Sequence, residues 1–175
     1  MKSVPLFAVI MLSVWTATAH AEEKVKASSL GGGTIEFARD IKVPKFTAFL
    51  TFQDGKVVGR QYWNPKRSES KFIGSIDKNK PYCHLQIDQG DGKPLQPRKG
   101  TLLYISMVTS GAATWGANYQ WDDNIYLSSD TRGYKAVTFV GCESDINSGG
   151  MTLDDLRKAL GDGIKISPPK EEHSS

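Results

Sequence analysis

The stretch KFTAFLTFQDGKVVGRQYW, residues 45–63, constrains this chain more than any other. Phe46, Ala48, Leu50 and Phe52 recur at every second position, the period of a strand and not of a helix. Asp54-Gly55 then supplies two residues that tolerate positive φ, and VVGRQYW resumes the run behind them. The segment therefore predicts an antiparallel hairpin. A lone hairpin is marginal in water, so a chain built this way must find further strands.

It has them. Apolar or alternating runs occupy residues 34–43 (with Ile35 and Phe37 on one face), 71–76, 82–87, 101–110 and 134–142. TWGANYQW and NIYLSS continue the period on either side of Asp122-Asp123, whose acids read as a solvated turn. A Gly- and Pro-rich stretch at residues 88–100 reads as a long loop. Only TLDDLRKALG breaks the pattern. Thr152 and Asp155 have capping-box spacing, Leu153, Leu156 and Leu160 form one helical stripe, and Gly161 suits the helix end. The expected fold is mainly β, an antiparallel β-sandwich or partly closed barrel with one short C-terminal α-helix.

The ends bound the domain and its compartment. Residues 1–21 read as a signal peptide: Lys2 leads an apolar run from Pro5 to Val14, and Ala19-His20-Ala21 fits a cleavage site. Residues 22–33, ending in three glycines, read as a flexible leader. Residues 34–166 form a single β-rich domain, and residues 167–175 a disordered tail. Cleavage leaves 154 of the 175 residues in an exported chain, periplasmic or secreted. Its formal charge falls from +3 to +2 with the loss of Lys2, too near zero for a global field that steers nucleic acid. The basic runs NPKRSESK and QPRKG, broken by Pro, Ser or Gly, read as solvated loops. With no cysteine near the cleavage site, no lipid or other membrane anchor is expected.

Cys83 and Cys142 are the only cysteines, and export favours a disulfide between them. Closing a loop of about 60 residues is worth about 4 kcal/mol in the chain-entropy account. His84 sits beside Cys83 and is the only histidine outside the signal peptide and the tail. In YCHLQI, however, alternation turns Cys83 inward with Leu85 and Ile87, and Tyr82, His84 and Gln86 the other way. A Cys-His dyad therefore does not form, and one histidine is too few for a zinc site. No cofactor or metal is expected.

Two groups remain as candidates for function. Asp122-Asp123 and Glu143 with Asp145 are acid pairs of the kind glycoside hydrolysis needs. Asp122, Asp123, Asn124 and Asp130 supply calcium-type oxygens, but without an EF-hand pattern. Trp115, Tyr119 and Trp121 fall at alternate positions and could form a ligand platform, with Trp63 a second aromatic candidate. The resulting expectation is a non-enzymatic exported domain that binds a protein, glycan or small apolar ligand in the cell envelope. The alternatives are an envelope-glycan hydrolase using a carboxylate pair, and a structural subunit of an envelope assembly.

Overall fold

The computed structural model describes residues 24–90, 93–115, 118–128 and 135–170, so the expected signal peptide and the end of the expected tail lie outside the described residues. Eleven strands and one helix are arranged as β1 (Thr34–Phe37), β2 (Thr47–Gln53), β3 (Lys56–Asn64), β4 (Glu69–Gly74), β5 (Tyr82–Ile87), β6 (Gln89–Gly90), β7 (Lys93–Pro94), β8 (Leu102–Trp115), β9 (Asn118–Ser128), β10 (Val137–Asp145), α1 (Leu153–Leu160) and β11 (Ile164–Ser167). Nine of them form one antiparallel sheet in the order β11-β1-β8-β9-β10-β5-β2-β3-β4, curled into a half-barrel. The short β6 and β7 pair with each other within the segment expected to be a loop. The fold is mainly β with a single C-terminal helix, as expected.

The hairpin between β2 and β3 forms where the sequence places it. Asp54 (φ 48°) and Gly55 (φ 75°) both have positive φ, as a two-residue turn of primed type requires. Leu50 and Phe52 face the core, while Phe46 precedes the strand and is partly exposed. A bulge in the β2–β3 pairing between Thr47 and Phe49 breaks the simple alternation there.

One face of the sheet buries Ile35, Phe37, Leu50, Leu85, Leu103, Ile105, Ile125, Val140 and both cysteines against α1. The helix offers Leu153, Leu156, Ala159 and Leu160, each large side chain contributing roughly 1.5–3 kcal/mol of transfer free energy. Its capping box is complete: Asp155 N donates to Thr152 Oγ1 and Thr152 N to Asp155 Oδ2. At the other end Gly55 N donates to the Ala159 carbonyl (3.1 Å), and a Cβ on Gly161 would stand 2.5 Å from Gly55 Cα. The turn and the helix end thus meet glycine to glycine.

Three expectations are corrected. The segment expected to be a flexible leader is tied down by backbone bonds from Val25 onward: Leu153 N donates to Val25 O and Gly32 N to Ile105 O, and Ala27 and Leu30 are fully buried. Its small and apolar residues cover the gap between β8 and α1, which composition alone did not reveal. Asp122-Asp123 is not a turn, because β9 runs straight through it. TWGANYQW is not one strand: β8 ends at Trp115, β9 begins at Asn118, and the two residues pair opposite each other.

Candidate functional site

The sheet face turned away from the core carries a cleft of about 600 Å³. Register explains its shape, because directly opposed residues on antiparallel strands share a face and line up in rows across the sheet. The middle row runs Asn124, Gly141, His84, Thr51, Gly59, Gly74 through β9, β10, β5, β2, β3 and β4. Half of those positions lack a side chain. A Cβ at Gly141 would lie 2.7 Å from the Phe139 ring, and one at Gly59 2.3 Å from the Phe72 ring. At Gly141 the cleft floor is therefore made by omission, with the Phe139 ring leaning over the vacant position, and Phe72 reaches the cleft across Gly59.

The rows on either side have opposite character. On one side lie Tyr126, Phe139, Gln86, Phe49, Gln61 and Phe72, four aromatic rings and two amides. On the other lie Asp122, Glu143 and Tyr82, with Gln120 beside them. Lys78 adds one cation to the lining.

A hydrogen-bonded chain joins the acidic row to the floor. Tyr82 donates its hydroxyl to Glu143 Oε2, and His84 Nε2 lies 3.3 Å from Glu143 Oε1. His84 Nδ1 lies 2.9 Å from the hydroxyl of Thr51, which is fully buried. Burial works to raise the Glu143 pKa, but hydrogen bonds from His84 and Tyr82 outweigh it and hold the carboxyl below its ordinary 4.5. Burial first, and then the bond to Glu143, pushes the Tyr82 hydroxyl well above its ordinary 10.0. An ionised carboxylate only accepts, so Nε2 carries a proton and in the neutral ring Nδ1 accepts from Thr51. The imidazole is also gripped edge-on by Tyr82 (5.3 Å) and Phe49 (6.5 Å). With both nitrogens engaged and a buried hydroxyl behind it, His84 is a positioned hydrogen-bonding group and not a free base beside a nucleophile.

The sequence-predicted residues are thus redistributed. Cys83 and Cys142 form the expected disulfide, directly opposed on β5 and β10 with Cα atoms 4.0 Å apart, and His84 points to the other face as alternation requires. Asp122 and Asp123 part company. Asp122 enters the cleft, whereas Asp123 is buried and accepts from Met151 N (2.6 Å) and the Ser110 hydroxyl. Glu143 and Asp145 also separate. Asp145 is exposed and caps the 3₁₀ turn Ile146–Ser148, leaving Asp122 as the acid opposite Glu143.

Among the aromatic candidates, Trp121 is half-buried on the core side, where its Nε1 would stand 3.0 Å from a Cβ at Gly150. The side chains of Trp115 and Tyr119 lie outside the described residues, as does Asp130. Trp63 is 43% exposed on β3. Among the described residues no group of three or more His, Cys, Asp and Glu is placed to hold a metal ion.

Sequence reasoning missed Tyr82, Phe49, Phe139, Gln61 and the floor glycines. A signal for part of this was present, because a disulfide between directly opposed strands is a register ruler. Once Cys83 faces Cys142, Tyr82 must face Glu143 and His84 must face Gly141. Fold and site together define a half-barrel β domain with a cleft that is aromatic on one wall and acidic on the other. The chain matches no family model, no curated protein and no solved structure.

Proposed function

We propose that this chain is an exported binding domain whose cleft takes a small ligand with one apolar ring face and one hydroxyl-rich edge, best matched by a sugar ring of an envelope glycan. The observation that carries this reading is the three-row arrangement. Phe49, Phe72 and Phe139 offer flat apolar contacts, while Asp122, Glu143, Asn124 and Gln120 offer planar polar groups across a glycine floor. The volume lies within the range of small-molecule sites, and such sites combine apolar walls with a few fixed polar groups. The disulfide agrees with an oxidising compartment.

A hydrolase is the second reading, favoured by Asp122 standing opposite Glu143. Glycoside hydrolysis needs one carboxyl protonated and one ionised; Glu143, held ionised, suits only the nucleophile or base role and leaves Asp122 to be the acid. Asp122 accepts from Gln120 Nε2 (3.2 Å), which favours its ionised form over the acid the reaction needs, so binding without turnover is the better account.

The test is calorimetric titration of N-acetylglucosamine oligomers and peptidoglycan disaccharides, with mass spectrometry of the same mixtures for cleavage products. We expect binding without products, abolished by Gly141→Val, whose side chain fills the floor and displaces the Phe139 ring, with circular dichroism confirming that the variant is folded. Silence across the panel together with no displacement of an apolar fluorescent probe by any member would sink the reading. Cleavage products lost in Glu143→Gln would establish the hydrolase instead.

A further inference from the structure

The β3–β4 hairpin departs from the rest of the molecule in two ways. All six residues of β4 are exposed, so the strand buries nothing in the core. Residues 56–74 also carry Lys56, Arg60, Lys66, Arg67 and Lys71 against the single acid Glu69. That is a net +4 in a chain of net +3, so the remainder sums to −1. The basic run that reads as a solvated loop is the tip of this hairpin, where Asn64 pairs with Glu69. Among the described residues, Lys66, Arg67 and Lys71 make no ion pair.

Large apolar side chains share the same hairpin. Trp63 is 43% exposed, Phe72 40% and Ile73 39%. Trp63 pairs with Ser70 and Gln61 with Phe72 on the cleft side, while Arg60 pairs with Ile73 and Tyr62 with Lys71 on the other. Arg60 and Lys71 both stand over the Tyr62 ring at 5.8 Å. An exposed apolar edge strand invites aggregation unless something covers it. Cations alone would suit any polyanion, but apolar side chains on both faces of a projecting tip suit insertion into an interface of headgroups and acyl chains.

We propose that the β3–β4 hairpin docks on an anionic lipid bilayer. Lys66, Arg67 and Lys71 meet the headgroup phosphates, and Trp63, Phe72 and Ile73 enter the boundary beneath them. This rests on the hairpin, which shares Phe72 and Gln61 with the cleft lining; Trp63, Ile73 and the three cations lie outside that lining.

The test uses the full chain, expressed with its own N-terminus and purified, in co-sedimentation with phosphatidylcholine vesicles with and without phosphatidylglycerol. Binding is expected only with the anionic lipid, weakened by high salt. Lys66→Glu with Arg67→Glu should reduce it at least about tenfold, since each cation near a charged surface is worth about a factor of five. Trp63→Ser should reduce it several-fold on its own, and Gly141→Val should leave it unchanged. All variants share one N-terminus, so any contribution from the leader cancels. Circular dichroism checks that these exposed substitutions leave the fold intact. No preference for anionic vesicles would overturn the proposal. So would a Trp63→Ser chain that binds vesicles like the parent while single-stranded DNA competes at equal affinity, which would make the surface a polyanion site.

Discussion

Glu143 is the residue on which the cleft's chemistry turns, and its ionisation has a calculable sign. A carboxyl held below its ordinary 4.5 stabilises the native state above that pH. This contribution is lost as pH falls through the lowered value. Tyr82 acts at the opposite end, because a hydroxyl pushed above 10.0 favours the native state below that pH and ceases to as pH rises through the elevated value. Chemical denaturation across pH should therefore show one loss below about 4.5 that flattens in Glu143→Gln, and another above about 10 that flattens in Tyr82→Phe. At neutral pH Glu143→Gln should cost on the order of 1–3 kcal/mol, because it weakens two charge-assisted hydrogen bonds at once. An acid limb identical in parent and variant would show that Glu143 is not held as described.

At the scale of elements, the helix and the first hairpin depend on short-range chemistry. Thr152→Ala removes the cap and should lower stability by about 1 kcal/mol. Gly161→Ala should cost more, on the order of 3 kcal/mol, because φ is +72° and its Cβ would strike the Gly55 backbone. Denaturant midpoints measure both, and equal losses would argue against the glycine contact. These are also the elements legible in the sequence, since Asp54-Gly55 and Thr152…Asp155 act within four residues of one another. The cleft was less legible because every row in it joins strands distant along the chain. His84 and Glu143 were each visible as candidates, yet Glu143 was paired with Asp145, its neighbour in sequence, and not with residues across the sheet. The aromatic stretch failed for a related reason: period-two alternation counts positions but does not record that the chain reverses between Trp115 and Asn118. Asp123 looked solvated because acids usually are. Its burial depends on Met151 N–H and the Ser110 hydroxyl, which approach from other elements.

For the whole molecule, most of the sheet is a Greek-key unit, in which β5 returns to lie beside β2, laid edge to edge with a three-stranded meander. β2 to β5 supply one and β8 to β10 the other, and they meet where β5 pairs with β10. The only disulfide sits on that seam. Cys83→Ala with Cys142→Ala should cost about 2–5 kcal/mol in denaturant unfolding. The purified exported protein should show no reactive thiol, and an intact mass that begins at Glu22. Two reactive thiols in the native state would contradict the pairing. The seam has a further consequence for the spacing of the cleft's two walls. The bond that latches Cys83 to Cys142 belongs to the residues next to His84 and Glu143, so it is the spine of an open book whose facing pages carry the two halves of the cleft. Without that bond, the β5–β10 strand pairing alone holds those pages at reading distance. Under the reading proposed above, oxidation then does more than harden the fold: it fixes the spacing between the two walls that a ligand would have to bridge.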